Sequence, residues 1–244
     1  MRKESPMVQT ELVDRSPLRI LEQALRGGPG PGDIAVLASP KGVGKTACLV
    51  HIATDKLLQG RQVIHVSYAS RVDYIITWYE DIFAEISRRM KDAVSIHDEL
   101  TKNRVIMNFK QDGAKTEQVL RSLEAMIVHA NFRAETVIVD GLDFAQAGPE
   151  DLRKFKDFAG RLGLEVWFSA SLKRDDPLFD DRGIPFELAD HLGVIDVLIS
   201  LQHHGDHVHF SLVKDHDRLV PKDLRLKLDP TTLLIAKDVR ARAR

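Results

Sequence analysis

The chain has 244 residues, of which 35 are Lys or Arg and 36 Asp or Glu, for a formal net charge of −1. That balance argues against a sequence-independent grip on nucleic acid, which needs a basic excess or patch. Hydrophobic residues make up 43% of the chain, enough for a sizeable core, yet no apolar run approaches the ~20 residues that span a bilayer, so one globular domain and no membrane association are expected.

Residues 1–15 are polar and aperiodic and read as a flexible arm without the apolar stretch of a signal peptide. The domain is expected over 16–238. Leu18, Leu21 and Leu25 share one helical face, and "RGGPGPGD" (26–33) ends that helix. Strand-like runs follow at 34–38 ("IAVLA"), 62–68, 104–109, 136–140 and 165–170. Helical patterns alternate with them: Val72, Ile75, Ile76, Tyr79, Ile82, Phe83 and Ile86 lie on one face, as do Val119, Leu120, Leu123, Met126, Ile127 and Ala130. The last third reads as two strands around a tight turn, 194–202 and 207–214, with two more short strands within 223–236. Residues 239–244, "VRARAR", form a basic tail. This alternation predicts an α/β fold, a mostly parallel sheet covered by helices on both faces and extended by an antiparallel meander. Cys48 is the only cysteine, so no intrachain disulfide can form and a reducing, cytoplasmic setting is expected.

The densest motif is "SPKGVGKT", residues 39–46, between a predicted strand and a predicted helix. It is close to the phosphate-binding pattern G-x-x-x-x-G-K-[ST], with Ser39 where the first glycine stands. Gly42 and Gly44 let backbone N–H groups turn inward, and the following helix adds its positive end. The expected nucleotide-binding set is Ser39, Pro40, Lys41, Gly42, Val43, Gly44, Lys45, Thr46 and Ala47, with Lys45 reaching the β- and γ-phosphates. Thr46 would bind Mg²⁺, and Asp140, closing the apolar run "TVIVD", would hold the ion from the other side. Lys41 also gives "PKGVGKT" a likeness to the deviant loop of the ParA/MinD proteins. There the extra lysine fills the second slot, which is Pro40 here.

In the order and spacing of these segments the chain resembles the RecA-like ATPases, in the branch of RadA, KaiC and the DnaB-type helicases. The resemblance covers roughly residues 17–236: the glycine-rich approach and phosphate loop, the aspartate strand "VIVDGLDF", "FSASLKR" where the family has a sensor strand, and "ADHLGVIDVLISL…HVHFSLVKDHD" where it has a closing hairpin. It implies a RecA-like P-loop fold with a C-terminal β-hairpin extension and binding of ATP with Mg²⁺. The family's catalytic glutamate at the end of the second strand is Ala69 here, and the residue after the aspartate is Gly141 rather than a glutamate. Ser171 stands at the sensor glutamine, Arg174 is retained, Lys214 matches the hairpin lysine, and His216 replaces the arginine beside it. In the family the last two positions reach the nucleotide of a neighbouring subunit, so the resemblance makes Lys214 and His216 trans-acting candidates and a homo-oligomer the implied partner. Asp143 and Asp73 read first as a turn residue and a helix-start residue, and only second as replacement bases.

With both general-base positions empty, the expectation is a protein that binds ATP·Mg²⁺, hydrolyses it weakly or not at all, and serves a protein partner as a switch or scaffold. The alternative is an active oligomeric ATPase working with DNA or a protein. The loop 174–187 carries five acidic and two basic residues, so direct DNA binding is not expected, although Lys154 and Lys156 could offer a weak contact. "HHGDHVH" gathers His203, His204, His207 and His209; alternation puts His207 and His209 on one strand face, which reads as a zinc pair or as a solvated hairpin tip.

Overall fold

The computed structural model describes residues 5–25, 28–68, 71–88, 93–110, 115–173 and 177–239. Among these residues nine strands form one sheet: β1 (Ile34–Pro40), β2 (Gln62–Ser67), β3 (Arg104–Asn108), β4 (Ala134–Asp140), β5 (Glu165–Leu172), β6 (Val197–His204), β7 (His207–Asp215), β8 (Arg218–Leu228) and β9 (Ile235–Lys237). Their order across the sheet is β3-β2-β4-β5-β1-β6-β7-β8-β9. The pairs from β3 through β6 are parallel, and β7, β8 and β9 are added antiparallel. The expected α/β class and the antiparallel extension of a parallel sheet are both present.

The central strands explain why the sheet is covered on both faces. In β1, six consecutive residues from Ile34 to Ser39 are buried, as a parallel strand with helices above and below requires. Ala35 and Leu37 join one core cluster while Ile34, Val36 and Ala38 join the other, following the period of two. The first cluster packs under α2 (Leu18–Ala24), α3 (Lys45–Leu58), α4 (Val72–Ser87) and α5 (Ala93–Lys102). The second packs under α6 (Thr116–Glu124) and α7 (Pro149–Leu162). Pro149 starts α7, whose missing N–H costs nothing in a first turn, and Gly163 ends it in the left-handed conformation at φ 67°. Leu152, Phe155, Phe158 and Ala159 make its buried stripe.

Three elements differ from the sequence reading. Residues 5–15, expected within a flexible arm, form helix α1 (Ser5–Arg15), and Leu12 and Val13 rest against the first core cluster. The helix expected to run to Ala130 keeps α-helical bonding only to Glu124 and ends in a π-helical turn, Ala125–His129, with Ala130 N–H bonded to Ala125 O. The strand expected to start near 223 starts at Arg218, so β8 is eleven residues long and its pairing with β7 is twice shifted in register. Of the expected basic tail, residues 240–244 lie outside the described residues.

Candidate functional site

In an open α/β sheet the crevice beyond the carboxyl ends of the strands is the place where ligands are held. Register fixes what arrives there. Ser39 of β1 lies level with Ser171 of β5, and Asp140 of β4 lies level with Ser67 of β2. Because β5 separates β1 from β4, its own end supplies a bridge between the strand that leads into the glycine loop and the strand that ends on Asp140. A cleft of about 1020 Å³ opens over these ends, walled by residues 41–47, 140–145 and 169–173, with the tip of the β6–β7 hairpin and Leu228 opposite.

The loop between β1 and α3 turns on two glycines with left-handed backbone, Gly42 at φ 87° and Gly44 at φ 110°, a region that L side chains disfavour. Gly44 is also the N-cap of α3, and a Cβ on it would overlap Leu228 Cδ2. Lys45 opens the helix with its side chain buried, and its ammonium donates to Ser39 O (2.9 Å), Ser39 Oγ (3.1 Å) and Pro40 O (3.0 Å). Ser39 therefore does more than tolerate the missing glycine: its hydroxyl is one of three acceptors on the buried cation. Burial lowers the Lys45 pKa to about 8, with Asp140 pulling the other way.

Thr46 Oγ1 donates to Asp140 Oδ2 at 2.8 Å, and Ser169 Oγ donates to Asp140 Oδ1 at 2.6 Å. Ser169 Oγ in turn accepts the N–H of Gly141 at 2.8 Å. A carboxylate has about four acceptor sites and these bonds use two of them, so Asp140 stays competent to hold a hard cation beside the Thr46 hydroxyl. Oxygen donors of this kind suit Mg²⁺, and the residues present fit it. Ser169 is the member that sequence reasoning missed. Its only signal was a hydroxyl near the end of a strand whose neighbours were unknown.

Among the other candidates, Asp143 is on the cleft wall, where its Oδ1 accepts the Ala145 N–H and its carbonyl closes the turn to Gln146 and Ala147. Ser171 lines the cleft and is exposed. Asp73 is exposed in the first turn of α4, paired with Arg71, and does not line the cleft. Ala69 and Arg174 lie outside the described residues. Lys214 and His216 are not brought to the phosphate loop. They stand at the opposite end of the central strands, where the Lys214 ammonium donates to Leu192 O (2.6 Å) and Ile195 O, and His216 Nε2 is 3.1 Å from Asp33 Oδ2, just before β1 begins. Hydrogen bonding to Asp215 and Asp33 raises the His216 pKa. Lys154 is paired with Glu117 and Asp151, and Lys156 with Asp196 and Asp33, which engages the two cations considered for nucleic acid.

No protein-family model matches the chain, and no curated protein sequence matches it. Among the described residues no helix is long and apolar enough to cross a membrane.

Proposed function

We propose that this chain is a RecA-like P-loop protein that binds ATP with Mg²⁺, turns it over slowly or not at all, and acts as a nucleotide-dependent switch or scaffold. The observation that carries the reading is the Thr46–Asp140 hydrogen bond beside the buried Lys45, at the mouth of a loop built on Gly42 and Gly44. In this reading the backbone N–H groups of residues 41–46 and the start of α3 take the phosphates, and the Lys45 ammonium exchanges its bonds to Ser39 and Pro40 for phosphate oxygens. Thr46 and Asp140 hold Mg²⁺, which when bound supplies positive charge against the phosphate oxygens. Ser169 positions Asp140, and its link to Gly141 N–H fixes the strand end in the same step.

Weak turnover follows from the groups that would orient water. Ala69 and Gly141 carry no carboxylate at the two positions where a water-orienting base is expected. An arginine finger alone is worth about 10³–10⁵ in rate in well-studied GTPases, and the corresponding hairpin position is His216.

Thermal unfolding with and without Mg²⁺-nucleotide tests binding, because a ligand at a hundredfold excess over its Kd stabilises by about 2.7 kcal/mol. No stabilisation by any Mg²⁺-nucleotide would remove the reading. Turnover above about 1 s⁻¹ that Lys45→Ala abolishes would replace the switch with an active ATPase, and that assay is run with and without single-stranded DNA, beside sizing with and without ATP.

A further inference from the structure

We propose that the tip of the β6–β7 hairpin carries a transition-metal site of the Zn²⁺ class, formed by His207, His209 and Asp238, separate from the Thr46–Asp140 pair. The strand period places His207 and His209 on the same face of β7. Asp238 reaches that face from the end of β9, where its own N–H is anchored on Arg225 O at 2.8 Å. A ring nitrogen from each histidine and a carboxylate oxygen of Asp238 all lie within 4.8 Å of one another. His207 and Asp238 are largely buried, with side chains 10% and 7% exposed, so these groups are held against the sheet rather than loose in solvent.

The spacing and the proton positions point to a cation. His207 Nδ1 is 2.8 Å from Asp206 Oδ1, a carboxylate oxygen that accepts, so in the neutral ring Nδ1 carries the proton and Nε2 the lone pair. That lone pair faces Asp238 Oδ2 at 3.5 Å. The gap is longer than an N–H···O bond of about 2.7–3.2 Å. It is close to the edge of about 3.3 Å that a tetrahedron with metal–ligand bonds of about 2.0–2.1 Å requires. A carboxylate behind a metal-facing histidine is the arrangement that fixes its tautomer and raises its basicity. Two imidazoles and one carboxylate select Zn²⁺ or its transition-metal neighbours over Mg²⁺ or Ca²⁺, which prefer oxygen alone. His204 stands across the hairpin, its ring centroid 5.9 Å from that of His207 and 6.2 Å from that of His209, and it or water completes the fourth position. Since His207 also lines the phosphate-loop cleft, occupancy would fix the hairpin tip at the rim of that cleft.

The test needs no nucleotide, so it succeeds or fails apart from the ATP reading. The full, untagged chain is stripped with a chelator and titrated with Zn²⁺ alone by calorimetry, and with Co²⁺ by visible absorption. One Zn²⁺ per chain, a Kd of about 1 µM or tighter, a raised melting temperature and tetrahedral Co²⁺ bands are expected. His209→Gln and Asp238→Asn should each weaken Zn²⁺ by at least about tenfold, while His203→Gln, at the same tip but outside the set, leaves it unchanged. Circular dichroism and metal-free melting verify that each variant is folded. Absence of saturable Zn²⁺ binding to the folded chain, or equal affinity in folded His209→Gln and Asp238→Asn, overturns the proposal and assigns the tip to ion pairs.

Discussion

Thr46 and Asp140 are 94 positions apart in the chain, and Thr46 Oγ1 donates to Asp140 Oδ2 at 2.8 Å. The bond spends the hydroxyl proton on the carboxylate and leaves the hydroxyl lone pairs and the remaining carboxylate sites as an oxygen pair for a hard cation. Asp140→Asn should therefore abolish the Mg²⁺-dependent part of nucleotide affinity, about 10–100-fold, while binding without Mg²⁺ changes little. Thr46→Ala should do the same, and the double variant should add little to either. Titration of a fluorescent nucleotide with Mg²⁺ and with chelator measures both. Equal losses in the two conditions would show that the pair serves folding alone.

Lys45 gives the site a pH dependence of definite sign. Burial lowers its pKa to about 8 from the usual 10.5, so between those values the unfolded chain binds a proton that the folded chain has released. Stability must then rise with pH across about 8 to 10.5 through this group, the burden of a buried cation being fully present below about 8. Lys45→Met should remove that rise, read from urea unfolding at a series of pH values. Nucleotide affinity should move the other way, falling by up to about tenfold per pH unit above 8 as the cation is lost. An affinity flat from pH 7 to 9.5 would show that Lys45 does not meet the phosphates.

The glycine loop before α3 and the aspartate ending β4 were legible because each is local: a strand, a turn of glycines and a helix start, or an apolar run ending in a carboxylate. The strands were legible for the same reason, since β1, β4 and β5 are short apolar runs flanked by breakers. What joined them was not. Only the strand order puts β5 between β1 and β4, and that order alone makes Ser169 a partner of Asp140 rather than one hydroxyl among many. Helix α1 was hidden because its sequence is largely polar, and among its described side chains Leu12 and Val13 tie it to the core. The position of Leu228 against Gly44 was hidden as well, because it depends on the antiparallel strands folding back past β6.

Gly44 and Leu228 should be energetically coupled. Gly44 sits at φ 110°, and a Cβ there would overlap Leu228 Cδ2. Gly44→Ala should cost about 1–3 kcal/mol for the backbone conformation, with a further contribution from the overlap. Leu228→Ala alone should cost about 2–5 kcal/mol as a buried truncation. Combining them removes the overlap but keeps the backbone cost. The double variant should be less destabilised than the sum of the singles by more than about 0.5 kcal/mol in urea unfolding, and strict additivity would place Leu228 away from the loop.

The strongest stability prediction concerns Lys56 and Glu165, which face each other under the sheet far from the cleft. Lys56 Nζ is 3.1 Å from Glu165 Oε1, and the two side chains are 7% and 5% exposed. Thr136 Oγ1 donates to the same carboxylate at 2.9 Å, and Glu22 Oε1 lies 3.9 Å from the ammonium. Truncating one member of such a pair leaves a buried charge without its counter-ion, so Lys56→Met and Glu165→Leu should each cost about 3–5 kcal/mol. Replacing both removes two charges that water would otherwise solvate, so the double variant should be more stable than either single. Chemical unfolding at neutral pH decides it: a double variant as unstable as the sum of the singles would mean that each residue acts through separate contacts, Lys56 toward Glu22 and Glu165 toward Thr136, and not through the pair.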